Sequence, residues 1–263
     1  MDFLLYFIAG AGAGILSGLL GVGGGTIIVP ILVFIFTSLA FPAQHIMHLA
    51  LGTSLATIIV TSISSARAHH RKQNVHWPVV MLIAPGIVLG TLVGAWLAGQ
   101  MDTFLLKCIF AVFVLLIATQ ILLNFTPPAH RQLPGNVGIS LMGTIIGVIS
   151  SLVGIGGGSL SVPFLIYCNF NARYAIGTSS AIGLPIAVAG TIGFIAAGLS
   201  AENLPGFSLG YIYLPALLGI AVASMLTAPI GAHLAHRLPV PILKKLFALL
   251  LYIVGLKMLW SLL

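Results

Sequence analysis

"GLLGVGGGTIIVP", Gly18 to Pro30, returns later in the chain as "SLVGIGGGSLSVP", Ser151 to Pro163. Each copy sets three glycines just ahead of an apolar run and flanks them with nothing charged. What such a run does depends on whether water or lipid surrounds it. Of the 263 residues, 59% are hydrophobic and 5% are charged, whereas a soluble chain carries roughly a quarter of charged residues. Runs such as Phe104 to Leu123, interrupted by Lys107 and a few small polar residues, are long enough for a hydrocarbon core that takes about 20 residues of helix. They lack the alternation of outer-membrane strands, and lipid otherwise admits only helices. An all-α integral membrane protein is expected.

The formal charge of +7 is scattered over loops and helix ends and makes no single basic face, so no nucleic-acid partner is expected. It matches the bias of cytoplasmic loops toward Lys and Arg. Cys108 and Cys168 show no metal spacing and read as apolar fillers.

The repeat extends beyond the glycines. Gly21 aligns on Gly154, Gly25 on Gly158 and Pro30 on Pro163; "LALGTSLA" at Leu49 to Ala56 matches "YAIGTSSA" at Tyr174 to Ala181; "LLKCIFA" at Leu105 to Ala111 matches "LKKLFA" at Leu243 to Ala248. The chain is an internal duplication, with a first transmembrane repeat at 1–125, a linker at 126–136 ("TPPAHRQLPGN") and a second repeat at 137–263, all one integrated transmembrane domain. Each half holds about five apolar segments, some of them candidates for re-entrant or half-helices. They run Phe3 to Leu20, Thr26 to Leu39, His45 to Ala66, Trp77 to Gly99 and Phe104 to Asn124, then Val137 to Val153, Ser159 to Cys168, Ala172 to Leu199, Leu209 to Ala235 and Ile242 to Leu263.

Loop charge predicts orientation. "RAHHRKQNVH", Arg67 to His76, holds Arg67, Arg71 and Lys72, while its counterpart Ser200 to Ser208 holds only Glu202. Conversely "GQMDT" after the fourth segment has no basic residue, and its counterpart "HRLPVPILKK" has Arg237, Lys244 and Lys245. The bias reverses between halves, as inverted-topology repeats require. The loop at Arg67 to His76 is then cytoplasmic and the N-terminus outside. A re-entrant first pair of segments would lower the count and keep the parity.

Glycine runs in a membrane segment are costly unless the freed backbone groups find partners in protein or around a water-filled cavity. A surface turn is one reading, although no Asp, Asn, Lys or Glu flanks the glycines. The other is a break in the membrane interior, followed by a short helix from Thr26 or Ser159 whose amide end accepts an anion. Candidate substrate-binding residues are Gly23, Gly24, Gly25 and Thr26 in the first half and Gly156, Gly157, Gly158 and Ser159 in the second. Thr53 and Ser54, with Thr178 and Ser179, supply hydroxyls; small residues packing helices is the alternative reading of "GTS". His48 and Arg173, each four residues before a "GTS" glycine, are either interfacial loop residues or positive charge along an anion pathway, and Arg173 is the one added to the candidate site.

"GAGAGILSGLLGVGGGTIIVPIL", Gly10 to Leu32, with its echo and the repeated "GTS", resembles the sulfite exporter TauE/SafE family, also called the four-toluene sulfonate uptake permease superfamily. The resemblance covers nearly the whole chain. It implies a multi-pass transporter, with seven or eight spans, in the cytoplasmic membrane of a bacterium or archaeon, carrying sulfite, sulfonates or other organic anions. Export and uptake both occur in the family; export by alternating access is the reading adopted for this chain.

The only acids are Asp2, Asp102 and Glu202, all at segment ends or in loops, so no buried carboxylate relay is expected. His69, His70 and His76 read as part of a solvated basic loop; His45, His48, His233 and His236 are candidate gates, although His233 and His236 read rather as interfacial residues. Coupling to a proton or sodium gradient stays open, as does the oligomeric state. A divalent-metal transporter would draw on the eight histidines, but no compact ligand pair lies inside a span, so no metal or other cofactor is expected. An intramembrane enzyme lacks a nucleophile with a base at suitable spacing, so no catalytic residue is assigned. The expected partners are a small anion and membrane lipid.

Overall fold

The structure is a computed structural model that describes residues 2–20, 25–123, 132–235 and 240–261. They form α1 (Asp2–Leu20), α2 (Gly25–Ser38), α3 (Ile46–Arg71), α4 (Trp77–Gln100), α5 (Thr103–Leu122), α6 (Asn136–Val153), α7 (Gly158–Tyr167), α8 (Ala172–Gly198), α9 (Leu214–Ala235) and α10 (Val240–Trp260). This is an all-α integral membrane protein: five of the described helices are long and apolar enough to cross a bilayer, and four shorter apolar ones accompany them. Side chains such as Leu89, Trp96 and Leu116 face outward, as expected where lipid replaces water.

Helix starts follow local chemistry. The Asp102 carboxylate accepts from the Leu105 N–H at 2.7 Å and opens α5; the Asn171 side chain accepts from the Tyr174 N–H at 3.0 Å and opens α8. Each is an N-cap that satisfies an otherwise orphaned amide.

The first helix of each half packs on the fourth helix of the other. A β-carbon on Gly10 of α1 would lie 2.6 Å from the Ile220 Cα of α9, and one on Gly143 of α6 would lie 2.6 Å from the Ile83 carbonyl of α4. Glycines four apart, at 86, 90 and 94 on α4 and at 143 and 147 on α6, let those backbones touch, the close approach that small residues permit in lipid. The third helices, α3 and α8, pack antiparallel, Gly52 lying against Phe194, Leu55 against Gly190 and Ser62 against Gly183. The fifth helices also run antiparallel, with Gly255 against Leu115 and Tyr252 hydroxyl bonded to Thr119 at 2.6 Å.

Loops 72–76 and 168–171 share one end of the bundle, where the His76 ring meets Phe170. At the opposite end, His45 Nε2 lies 3.0 Å from the Glu202 carbonyl oxygen and the Thr103 hydroxyl donates to the Gln44 carbonyl at 2.6 Å. Helices α1 and α2 fold back on one another, since Tyr6 and Phe36 rings pack edge to face.

Two expected boundaries are corrected. Helix α3 continues past Ala66 to Arg71, leaving only 72–76 as loop. His69 therefore sits in the last helical turn, half-buried, rather than in a solvated loop. The span expected from Leu209 begins instead at Leu214, because Ser208–Leu209 and Ile212–Tyr213 pair as a small antiparallel hairpin. Gly210 turns that hairpin at φ +54°, pressed against the Ile195 backbone, where a side chain would collide. Of the expected linker, 126–131 lies outside the described residues.

Candidate functional site

The second glycine run ends one helix and starts another. Gly154 caps α6 at φ +68°, its N–H donating to the Ser151 carbonyl at 3.3 Å while the Ile155 N–H donates to Ser150 at 3.0 Å. This left-handed cap favours glycine. A β-carbon there would also lie 2.8 Å from Leu51 Cδ2 and 2.9 Å from Val29 Cγ2. Helix α7 then begins at Gly158, one residue earlier than expected, as α2 begins at Gly25.

The start of α2 meets the second break inside the bundle. A β-carbon on Gly25 would lie 2.6 Å from the Gly154 carbonyl, and Ile58, near the midpoint of α3, borders both Gly25 and Gly156. Gly23 and Gly24 lie outside the described residues. Ser54 ties the first half to this junction, its hydroxyl donating to the Gly154 carbonyl at 2.8 Å.

A cavity of about 110 Å³ starts at the second break. Gly156, Gly157 and Gly158 form one wall; Ser62, Ser65 and His69 of α3 and Ser179 and Ser180 of α8 form others. It runs from the level of Ile58 to that of His69, toward the end that carries Arg67, Arg71 and Lys72. Among the described residues no Asp, Glu, Lys or Arg lines it. A single water needs only ~10–15 Å³ of such volume, so a small oxyanion fits with residual water.

Hydroxyls without protein partners stand in the cavity wall at Ser179 and at the starts of α2 and α7 at Thr26, Ser159 and Ser161. The side-chain oxygens of Thr26, Ser159, Ser161 and Ser179 are buried and make no hydrogen bond, a state that costs roughly 1–3 kcal/mol for each group. Pro30 and Pro163 add to the polar surplus: having no N–H, they leave the Thr26 and Ser159 carbonyls without the usual helix bond. The Gly158 and Ser159 amides at the start of α7 likewise have no partner within the helix, whereas the Leu160 and Ser161 amides donate to the Gly157 carbonyl at 3.2 and 2.7 Å.

The "GTS" threonines are engaged elsewhere. Thr53 accepts the Tyr213 N–H at 3.0 Å, and Thr178 accepts the His76 N–H at 3.0 Å. Both amides stand immediately before a fourth helix, so each threonine receives the loop that leads into α9 or α4. The glycines beside them serve the same contact, Gly52 abutting the Tyr211 carbonyl and Gly177 the Asn74 carbonyl. Of the expected residues, then, Gly156, Gly157, Gly158 and Ser179 line the cavity; Gly25, Thr26, Ser54 and Ser159 adjoin the break; Thr53 and Thr178 hold loops.

Arg173 is exposed in the first turn of α8 and lines no part of the cavity. His48, expected at an interface or in a pathway, is buried in α3, with Nε2 3.0 Å from the Ala98 carbonyl and 3.1 Å from that of Met101, and its ring stacked on Tyr211. Both carbonyls are acceptors, so Nε2 carries the proton. The side chain of His233 and all of His236 lie outside what the structure describes. Sequence reasoning missed Ser62, Ser65, Ser180 and His69. Serines recurring along α3 at helical spacing, at 54, 62 and 65, are a signal that one face is polar. Among the described residues no group of three His, Cys, Asp or Glu side chains is arranged to hold a metal.

Residues 6–258 match the family model described as "Sulfite exporter TauE/SafE". The chain is 41% identical over 260 residues to a Haemophilus influenzae protein named "Probable membrane transporter protein", covering 97% of each chain. It is 29% identical to Bacillus subtilis "Probable membrane transporter protein YdhB", covering 94% of this chain and 96% of the relative. It is 28% identical to Methanocaldococcus jannaschii "Probable membrane transporter protein MJ0441", covering 97% and 94%. No solved structure matches.

Proposed function

The chain belongs to the sulfite exporter TauE/SafE family and is a multi-pass membrane transporter, and from that premise we propose that it carries a small sulfur-containing or organic anion, such as sulfite or a sulfonate, through the cavity at the second glycine break. The observation that carries this reading is the coincidence of unpartnered buried hydroxyls with the amide start of α7 beside an uncharged cavity. Hydroxyls and amides donate to an anion, and among the described residues no carboxylate in the walls repels it. Thr26 and Ser159, one residue inside α2 and α7, are donors from each half.

The antiparallel run of α3 and α8, which carry the repeated "GTS", supports inverted repeats and hence alternating access by rocking one half against the other. With loop 72–76 in the cytoplasm, the cavity faces inward, the N-terminus lies outside, and the arrangement suits loading from the cytoplasm for export across the cytoplasmic membrane. Flux from proteoliposomes preloaded with sulfite, isethionate or acetate tests this, with imposed proton or sodium gradients identifying the coupling ion. Sulfite or sulfonate flux lost in Ser159→Ala/Ser179→Ala supports the site. Equal flux in that variant overturns it.

A further inference from the structure

A second cavity, of about 480 Å³, lies away from the breaks, between α2, α5 and α10. Its walls include Pro30, Phe34 and Met258, and two lysines, Lys107 and Lys257, enter it. Among the described residues no carboxylate lines it. Lys257 Nζ rests 4.7 Å from the centroid of the Phe34 ring, and Phe34 is 60% exposed. The groove is therefore open on the outside of the bundle, where a bilayer surrounds it.

Both lysines belong to apolar helices and approach the same end. Helix α5 starts at Thr103, bonded to Gln44, and α10 runs antiparallel to it, so Lys107 near the start of one and Lys257 near the finish of the other lie toward the same end, offset by about 9 Å along the axes. That end is opposite the loop with Arg67, Arg71 and Lys72, so the pair runs against the usual distribution of basic residues. A lysine in a lipid-facing wall reaches for the headgroup region and is stabilised there by a negative partner. Among the described residues none of the side chains in this groove supplies one.

We propose that the groove binds an anionic phospholipid, its phosphate between Lys107 and Lys257 and an acyl chain along the apolar wall of α2 and α10. The apolar wall demands a hydrocarbon tail, and the two cations select a headgroup of net negative charge. A lysine near a membrane surface favours an anionic lipid by about fivefold, so the pair gives a preference on the order of tenfold or more.

The test is native mass spectrometry of the full chain with phosphatidylglycerol and phosphatidylcholine of identical acyl chains. Wild type should retain phosphatidylglycerol about tenfold better. Lys107→Gln/Lys257→Gln should lose the preference while still retaining phosphatidylcholine, which shows that it is folded; Lys107→Arg/Lys257→Arg should keep the preference. A preference unchanged in the glutamine variant, or lost in the arginine variant, overturns the proposal. So does displacement of phosphatidylglycerol by millimolar inorganic phosphate, which would make the pair a simple anion site.

Discussion

Replacing Ser179 by alanine separates a ligand hydroxyl from a structural one. The Ser179 side chain is 1% exposed, lines the cavity and has no hydrogen-bond partner in the protein. Removing it breaks no internal bond and relieves a buried polar group, so the melting temperature should stay level or rise. Binding should suffer, because a hydrogen bond to a charged acceptor contributes about 1.5–3 kcal/mol, which is roughly a 10- to 150-fold weaker Kd. Thr178→Val, one residue away, should do the reverse. Valine has the same shape, but the His76 N–H loses the acceptor now 3.0 Å away, at a cost of about 1–3 kcal/mol. Melting should fall by several degrees with anion affinity retained. Calorimetric titration of purified protein with sulfite, paired with thermal melts, reads both. A Ser179→Ala protein that binds as tightly as wild type but melts lower would refute the reasoning, since the hydroxyl would then be part of the packing.

Gly157→Leu should insert normally and abolish transport, because its β-carbon would lie only 3.0 Å from Ser161 Oγ and 3.1 Å from Ile182 Cγ2, and the rest of the side chain has to enter the cavity; flux and membrane yield check it. Gly86→Val should prevent stable folding, since even a β-carbon there strikes the Ser140 carbonyl, whereas Gly12→Ala, with nothing within 4 Å, should stabilise α1 by about 0.5–1 kcal/mol; thermal melts of the two compare a seam with a lipid-facing site. Single cysteines at Gln73 and Asn203 should label from opposite sides of the membrane with an impermeant thiol reagent, Asn203 from outside. Asn171→Ala should cost about 0.5–2 kcal/mol through loss of the cap on Tyr174 N–H, read as a lower melting temperature.

Much of the fold was legible because it is local. Apolar runs, turn residues and the glycine repeats gave ten helices nearly where expected, with Gly25 and Gly158 starting the short ones one residue early. The hairpin at Ser208 to Tyr213 was not legible: its residues are as apolar as the span that follows, and what holds it out of helix is the packing of Gly210 on Ile195. The candidate site divides the same way. Glycines that break a helix announce themselves in sequence, and those of the second run line the cavity. Thr53 and Thr178 look identical to ligand hydroxyls on paper, because their partners at Tyr213 and Asn74 to His76 are distant in the chain. His69 was taken for loop because a cluster of basic residues resembles one, while the helix continues through it and turns the ring toward the cavity. The glycines at 86, 90 and 94 were the available signal for the α4 and α6 seam.

The most direct test of an anion site at the glycine break is anomalous diffraction at the selenium edge from crystals of the full chain soaked in selenite, an isostere of sulfite. The account predicts a selenium peak in the cavity within hydrogen-bond reach of Ser179 Oγ and the amides that begin α7, absent from Ser179→Ala crystals. A peak confined to the opposite end of the bundle, beside His45 and Tyr211, or one at the cavity that persists undiminished without the serine hydroxyl, would contradict it.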